Sequence, residues 1–228
     1  MSKTARSEEI LRIVNSEGSI SICELSRRVY ASRSTVRRDL ERLEARGMLR
    51  RHHGGAESIL ELHPPKLIRH SHNQNEKRII GEKAARLILP GSTVFIDAST
   101  TAQYIIPHIS ANDRLTVYTN GADTAIRLAE ANIRAICTGG ELFAQSMAYV
   151  GAAAAEAVQK IRFDAMFFSS AGIDREAVSD WSESETVLRR AVMRQSAKKY
   201  LLADSSKRGK SYTHIVCLLS ELDDIIME

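Results

Sequence analysis

Hydroxyl and carboxyl side chains gather where an apolar, β-rich run of this 228-residue chain ends. Asp97, Ser99, Thr100 and Thr101 lie at the end of the run 93–98 and at the start of a helix-like stretch. Hydroxyls and free backbone amides at a helix N-terminus can bind phosphate and other anions. We therefore predict an anion-binding loop here, with an ordinary helix cap as the alternative.

Other apolar runs end in residues of similar chemistry. Asn120 precedes a glycine, Gly139 and Gly140 form a pair, Gly172 lies in the stretch 169–174, and Lys207 lies in the stretch 204–209. Glycine allows a ligand to approach the backbone, and lysine supplies a positive charge. Each stretch is also typical of a plain turn, but their shared position predicts one pocket for a small, hydroxylated anion.

The elements that would position these residues alternate between strand and helix patterns. The apolar runs cover residues 93–98, 115–120, 133–138, 165–170, 200–203 and 214–219. Helical patterns lie between most of them, and another begins near Asn75, carries Ile80 and Leu87 on one apolar face, and ends at Pro90. This alternation predicts an α/β domain with a mainly parallel sheet, in which ligands bind at the carboxyl ends of the strands.

The positive charge of the chain is concentrated in its first quarter. The whole chain has a net charge of +4, and residues 1–56 alone carry 12 basic and 7 acidic residues. The rest of the chain is therefore close to neutral. This imbalance indicates a polyanionic partner for the N-terminal part alone.

Three short helical patterns follow one another in this basic quarter. The first covers residues 8–16, Ser21 and Glu24 predict a capping box for the second, and Ser32 predicts the N-cap of a third helix that stops at Gly47. A tight turn between the last two helices and a basic hairpin in residues 48–56 are typical of a small winged helix-turn-helix. Because Pro64-Pro65 interrupts regular structure, residues 57–74 are predicted to link this domain (1–56) to the α/β domain (75–228).

The third helix predicts a DNA-binding surface. Val36, Leu40 and Leu43 must face the core, which leaves polar and basic side chains outside. The predicted DNA-binding residues are Arg33, Ser34, Thr35, Arg37 and Arg38 on this helix and Arg50, Arg51, His52 and His53 on the wing. Arginine can bind guanine or phosphate, and hydroxyl side chains can bind phosphates or bases. The alternative is a solvated basic helix, which the capping box, the turn and the wing together disfavour.

Several other classes of protein are disfavoured. The chain contains no run of about 18 apolar residues, and its first ten residues lack the apolar segment of a secretory signal. The three cysteines are far apart, and the histidines show no metal-ligand spacing. We expect a reduced, cytoplasmic protein with no membrane contact, no metal and no cofactor.

Six segments, in their order and spacing, resemble the sugar-metabolism branch of the DeoR family of bacterial transcriptional regulators. They are TVRRDLERLEARGMLRRHHGGA, NEKRIIGEKAARLILPGSTVFIDASTT, VYTNGADTAIRL, TGGEL, FDAMFFSSAGID and LLADSSKRGK. The resemblance covers nearly the whole chain. It implies a winged DNA-binding domain and a sensor domain that is similar in fold to ribose-5-phosphate isomerases and CoA transferases.

The resemblance also implies that the sensor domain binds a phosphorylated sugar, a polyol phosphate or a related metabolite and performs no chemistry. The matching positions are Asp97, Ser99, Thr100, Thr101, Asn120, Gly139, Gly140, Gly172, Glu185 and Lys207. Lys207 would neutralise a phosphate or carboxylate, and Glu185 would accept sugar hydroxyls or lie on a helix surface. Ser99 stands where the family commonly has glycine. Relatives commonly continue by roughly another helix and strand, so an open or partner-covered edge is expected.

The expected function is that of a repressor which binds a double-stranded DNA operator as a dimer or tetramer and is released by its effector. A sugar-phosphate isomerase with a DNA-binding appendage is the alternative. However, the stretch 169–174 offers only Asp174 where such enzymes carry paired acids. The sequence does not separate repression from activation, and the polar strand ends disfavour a purely architectural role.

Overall fold

The chain divides into two units, Met1–Pro65 and Lys66–Glu228, in a computed structural model that describes residues 3–45, 48–52, 54–58 and 66–228. Each unit has its own apolar core. The predicted domain limits at residues 56 and 75 stay a prediction, and the predicted interruption at Pro64-Pro65 lies outside the described residues.

The N-terminal unit is a helix-turn-helix followed by a two-stranded wing. Its elements are α1 (Lys3–Glu17), β1 (Ser19–Ser21), α2 (Ile22–Arg28), α3 (Arg33–Ala45), β2 (Arg50–His52) and β3 (Gly55–Glu57). Strand β3 pairs antiparallel with both β1 and β2, so the wing is joined to the start of α2. Ile10, Leu25, Val36 and Leu40 are fully buried and pack the three helices together.

Serine hydroxyls cap the two helices of the motif. Ser21 accepts a hydrogen bond from the Glu24 backbone amide at 3.2 Å, and Ser32 accepts one from the Thr35 amide at 3.2 Å. The Glu24 carboxylate pairs with Arg27 and Arg28, so only half of the predicted capping box forms. The predicted end of the third helix, at Arg46 and Gly47, lies outside the described residues.

The C-terminal unit is an α/β domain. Its helices are α4 (Lys66–Ser71), α5 (Gln74–Ala85), α6 (Ala122–Glu130), α7 (Ala152–Val158) and α8 (Glu183–Gln195), with 3-10 turns at Ala102–His108, Ala111–Asp113, Ser205–Lys207 and Leu219–Glu221. Its strands are β4 (Thr93–Ile96), β5 (Thr116–Thr119), β6 (Arg134–Cys137), β7 (Glu141–Phe143), β8 (Ala148–Val150), β9 (Phe163–Phe168), β10 (Gly172–Ile173), β11 (Ala177–Asp180), β12 (Ser196–Leu202), β13 (His214–Leu218) and β14 (Asp224–Ile226).

Six of these strands form a parallel sheet in the order β14-β12-β9-β4-β5-β6. The predicted fold class is therefore confirmed, and the first five predicted runs all supply strands of this sheet. The last run, 214–219, instead forms β13, which pairs antiparallel with β11 in a second, three-stranded sheet. The edge strand β14 was not predicted because three residues are too short to show a period.

Helices cover both faces of the parallel sheet. Val94 and Ile96 pack with α5 and α6 on one face, whereas Phe95 between them packs with α7 and α8 on the other. This alternation is the two-residue period of a strand that is buried on both sides. The sheet is thus fixed by apolar contacts on both faces, which leaves its carboxyl edge to the polar residues.

Helix α5 ends earlier than predicted. It stops at Ala85 because the next amides bond to carbonyls three residues back, with Leu87 N–H donating to Ala84 and Ile88 N–H to Ala85. Leu87, which was predicted to lie on the same helix face as Ile80, is therefore outside the helix and 40% exposed.

Gly81 provides the closest approach between α5 and the 3-10 turn Ala102–His108. A Cβ atom at this position would lie 2.2 Å from the backbone oxygen of Tyr104. Backbone on both sides leaves little room to adjust.

We expect Gly81→Ala to destabilise the C-terminal unit by about 1–3 kcal/mol, because the backbone clash outweighs the gain of about 1 kcal/mol in helix propensity. Urea unfolding, followed through the fluorescence of the single tryptophan, Trp181, measures this change. The exposed Arg78→Ala on the same helix is the control and should change stability by no more than about 0.5 kcal/mol. A stabilised Gly81→Ala protein would contradict the packing described.

Candidate functional sites

Most of the predicted DNA-binding side chains are exposed on the N-terminal unit, including Arg50, Arg51 and His52 of the wing. Arg33, Ser34, Arg37 and Arg38 of α3 are exposed, and Thr35 is half-buried. The hydroxyl groups of Ser34 and Thr35 each lie 2.9 Å from the Ser32 hydroxyl, so both belong to the helix cap. A basic helix face whose N-terminus carries hydroxyls is suited to the major groove of DNA.

The arginines of this surface differ in whether they already form ion pairs within the protein. Arg51 donates to Glu44 at 2.6 Å and to Glu41 at 3.2 Å, and Arg50 lies 3.4 Å from Glu57. Arg37 and Arg38 form no ion pair with any other residue in the described part of the chain. At Arg37 and Arg38, a DNA phosphate would therefore not have to displace a carboxylate of the protein.

A groove separates α3 from the wing. It has a volume of about 500 Å³, and Arg37, Glu44, Arg51 and His52 are among its lining residues. The His52 ring nitrogen lies 3.3 Å from the Ser19 hydroxyl, which ties the wing to β1. The predicted contact of His53 lies outside the described residues.

The second candidate site begins at Asp97, directly after β4. Asp97 is 2% exposed, and one carboxylate oxygen accepts the Ser99 amide at 3.0 Å, while the other lies 3.4 Å from the Ser169 amide after β9. Thr100 and Thr101 are also buried, yet their hydroxyls form no hydrogen bond with any other described residue. The loop therefore retains two hydroxyls for a bound molecule.

Asn120, which follows β5, holds this loop in place. Its side-chain oxygen accepts the Ala98 amide at 3.0 Å, and its side-chain nitrogen donates to the Tyr149 carbonyl at 3.2 Å. Both ends of the amide are thus engaged by the protein, which gives Asn120 a positioning role. A direct contact between Asn120 and an effector stays a prediction.

Arg189 of α8 joins Asp97 to two further carboxylates. Its guanidinium lies 2.9 Å from Asp180, 3.2 Å from Asp97 and 3.8 Å from Glu185. Burial lowers the pKa of Arg189, but the charges of Asp180, Glu185 and Asp97 outweigh it, so the pKa lies above its ordinary value. Two of the predicted site residues, Asp97 and Glu185, are therefore brought together by an arginine that was not predicted.

Glu185 is buried, with 5% of its surface exposed, so it does not lie on a helix surface. Burial raises its pKa, although the Arg189 charge opposes this rise. Its carboxylate accepts from the Ser146 hydroxyl at 3.2 Å, and this hydroxyl lies 3.3 Å from the Arg69 guanidinium. Glu185 can thus accept a hydrogen bond from a hydroxyl within this buried cluster, as it does from Ser146.

Lys207 lies in the short turn Ser205–Lys207 after β12. Asp204 opens this turn by accepting the Ser206 amide at 3.0 Å. Burial lowers the pKa of Lys207, the Asp204 charge opposes the effect, and the Arg69 charge adds to it. Lys207 is therefore a half-buried cation beside other cations.

Two of the predicted glycines, Gly140 and Gly172, allow close packing of the backbone, whereas Gly139 has open space around it. Gly140 has a φ of +108°, and a Cβ there would lie 2.6 Å from the Val150 carbonyl oxygen. Gly139 also has a positive φ, of +66°. A Cβ at Gly172 would lie 2.4 Å from the Lys210 carbonyl oxygen, so Gly172 seats the loop that carries Lys207.

Sequence reasoning missed the residues that connect these strand ends. Arg189 could have been found because it lies four residues after Glu185 on one helix face. Asp180, Ser146 and Arg69 gave no comparable signal, because contacts between segments that are distant in the sequence bring them together. Among the described residues, no group of three or more His, Cys, Asp or Glu side chains could hold a metal ion, and no helix could cross a membrane.

Comparison with known proteins relates both units to one family. A model described as the DeoR-like helix-turn-helix domain matches residues 6–61, and one described as the DeoR C terminal sensor domain matches residues 72–228. The lactose phosphotransferase system repressor of Staphylococcus aureus is 35% identical over 234 residues, which cover 100% of this chain and 93% of that protein.

Two further similarities come from other organisms. The uncharacterized HTH-type transcriptional regulator YulB of Bacillus subtilis is 37% identical over 223 residues, covering 93% of this chain and 84% of that protein. Ribose 5-phosphate isomerase A of Methanocaldococcus jannaschii superimposes with a TM-score of 0.45 at 12% identity, over 60% of this chain and 55% of that one.

We expect Arg189→Gln to destabilise the C-terminal unit by about 3–5 kcal/mol, because it leaves three carboxylates at a buried edge without their cation. Denaturant unfolding followed through Trp181 measures the loss, and Arg189→Lys, which keeps the charge, should lose less. The exposed Arg194→Gln on the same helix is the control. Equal stabilities of Arg189→Gln and Arg194→Gln would contradict a central role for this guanidinium.

Proposed function

The chain belongs to the DeoR family of transcriptional regulators, and from this premise we propose that it represses a carbohydrate-metabolism operon and releases its operator when a phosphorylated sugar or a related metabolite binds. The observation that carries the proposal is the buried polar edge around Asp97, which lies at the carboxyl ends of the parallel strands. The protein would act in the cytoplasm.

The N-terminal unit supports binding to double-stranded DNA. The exposed arginines Arg37 and Arg38 lie one after the other on α3, next to the capped N-terminus of the helix. Arg33 and Ser34 extend the same exposed face. Because most protein–DNA hydrogen bonds go to phosphates, we propose that Arg37 and Arg38 contact the phosphate groups of the DNA rather than its bases.

A dimer or tetramer is part of the proposal. Two recognition helices of a dimer would bind half-sites one DNA turn apart, or a multiple of one turn. The Staphylococcus aureus relative is named a repressor of the lactose phosphotransferase system. This name favours repression over activation and a sugar-derived effector for the present chain.

The polar edge supports an effector with hydroxyl groups and an anionic group. The carboxylates of Asp97 and Glu185 can accept hydrogen bonds from ligand hydroxyls. Thr100 and Thr101 offer their own hydroxyls to the ligand, and Lys207 supplies a positive charge. An effector can release DNA only if it binds the DNA-incompetent arrangement more tightly. A coupling of about 1–3 kcal/mol corresponds to about 5- to 150-fold in affinity.

The chain is a regulator and not an isomerase, because its family and its named relatives are regulators. The local geometry agrees with this assignment. Asp174, the acid that the sequence offers in the stretch 169–174, accepts the amides of Glu176 and Ala177 in its own turn. These backbone hydrogen bonds lower the pKa of Asp174, so it is a weak base.

We expect Arg37→Ala and Arg38→Ala each to weaken binding to double-stranded DNA of random sequence, because each removes one phosphate contact. Fluorescence anisotropy at several salt concentrations should show the slope of log affinity against log salt falling by about 1 for each variant. Arg86→Ala, an exposed arginine of the C-terminal unit that pairs with Glu82, is the control. An unchanged slope in both variants would remove α3 from the DNA interface.

We expect at least one phosphorylated sugar or polyol phosphate to raise the unfolding temperature, with the stabilisation growing as RT ln(1 + [L]/Kd), while its unphosphorylated parent does not. Lys207→Ala should abolish the rise, because it removes the counter-charge of the phosphate. The same compound should release an operator selected from random duplexes. If none of the phosphorylated compounds releases the operator, the proposed function is contradicted.

A further inference from the structure

The turn between α2 and α3 contains a strained residue. Tyr30 has a φ of +51°, in the left-handed region that residues with a Cβ atom disfavour. Its amide donates to the Arg27 carbonyl at 3.4 Å, and the Ala31 amide donates to the Ser26 carbonyl at 3.2 Å. These two hydrogen bonds form a Schellman motif at the end of α2, in which the residue at the position of Tyr30 is usually glycine.

Other contacts hold the turn in this shape, so Tyr30 cannot move to a negative φ without breaking them. The Ser26 hydroxyl donates to the Ala31 carbonyl at 2.5 Å, and the Val29 amide donates to the Leu25 carbonyl at 2.9 Å. Val29 is buried, and Ala31 packs against the same apolar core as Leu25. The sequence therefore carries a tyrosine where glycine or asparagine would fold with less strain.

Packing of the ring does not compensate for this strain. The side chain of Tyr30 is 96% exposed, the highest value among the exposed large apolar side chains in the described part of the chain. Aromatic rings normally stabilise a fold through the surface that they bury, and this ring buries almost none. A strained residue that contributes so little to the folded unit is a candidate for a functional contact.

The position of Tyr30 in the motif indicates which molecule it contacts. In a helix-turn-helix on DNA, the first helix crosses the sugar–phosphate backbone, and the second lies in the major groove with its N-terminal residues at the bases. The turn that joins them therefore lies at the edge of the groove, where the phosphates are. Residues 27–38 contain five arginines and no acidic residue, so the charge around the turn also favours an anion.

We propose that Tyr30 is a DNA-binding residue and that its phenol hydroxyl donates a hydrogen bond to a phosphate at the edge of the major groove. Tyrosine is among the side chains that bind DNA phosphates. The inference rests on the DNA-binding part of the proposed function and adds a residue that lies outside the recognition helix. Because a phosphate contact does not depend on the bases, Tyr30 adds affinity for any duplex.

The same surface is poorly suited to contact between two copies of the chain. Residues 27–38 of each copy would bring five arginines towards those of the other, and like charges across an interface repel. DNA supplies the opposite charge and is therefore the partner that fits this turn.

The test uses the full chain and a duplex of random sequence. We expect Tyr30→Asn and Tyr30→Phe each to weaken binding by about 10-fold, the loss expected for one hydrogen bond to a charged group. Because tyrosine is uncharged, the slope of log affinity against log salt should keep its wild-type value. Fluorescence anisotropy at several salt concentrations measures the affinity and the slope together.

The stability of the two variants should differ. Tyr30→Asn relieves the strain, because asparagine tolerates the left-handed region, and should raise the unfolding temperature by about 2–4 °C. Tyr30→Phe keeps the strain and should unfold at the wild-type temperature. Far-ultraviolet circular dichroism follows the unfolding. A residue whose replacement stabilises the protein and weakens DNA binding is kept for binding and not for folding.

Arg114 provides a matched control. It is an exposed residue of the C-terminal unit with a φ of +53°. Arg114→Asn therefore relieves a similar strain outside the helix-turn-helix. This variant should raise the unfolding temperature as Tyr30→Asn does, and it should bind the duplex with wild-type affinity.

Four results would overturn the inference. They are wild-type affinity in Tyr30→Asn, wild-type affinity in Tyr30→Phe, a lower unfolding temperature in Tyr30→Asn, and a change of molecular mass by light scattering in either variant. The last result would assign the ring to contact between copies. The salt slope of Arg37→Ala separately decides whether α3 binds DNA. A reduced slope there, together with wild-type affinity in the Tyr30 variants, would remove Tyr30 from the interface and leave the proposed function in place.

Discussion

The buried guanidinium of Arg189 pairs with three carboxylates that come from different parts of the C-terminal unit. Asp97 follows β4, Asp180 ends β11, and Glu185 lies one turn before Arg189 on α8. Three carboxylates at a desolvated sheet edge would repel one another strongly, and removing their shared cation would leave that repulsion uncompensated. The position of the Asp97 loop relative to α8 and the second sheet therefore depends on this one side chain.

Arg189 also shapes how charge is distributed within the candidate site. It pairs with the carboxylates on the side of Asp97, so this side suits the hydroxyl groups of a ligand. On the side of Lys207 partly buried lysines lie beside Asp204, and this side suits an anion. A hydroxylated anion would thus satisfy both halves at once. A regulator needs such a preformed polar site, because recognition alone is required of it and no bond is broken.

Local patterns were enough to predict the helix-turn-helix, the wing and most of the parallel sheet. Ser32 and Ser21 cap their helices as their residue types require, and strands such as β4 alternate between the two cores. Contacts between distant segments were not predictable in this way. Helix α4 follows two prolines and resembles a linker until its bonds to Asp123 and Ser146 are known. Asn120 was predicted as a ligand residue, but its neighbours Ala98 and Tyr149 engage both ends of its amide.

In the proposed mechanism, occupancy of the strand-end site and binding of DNA oppose each other. The most direct test measures, by isothermal titration, the affinity of an effective sugar phosphate for the protein alone and for the protein saturated with its operator. We expect the operator to weaken sugar-phosphate binding by about 5- to 150-fold, since coupling between two sites is reciprocal. Equal affinities in the two titrations would contradict it.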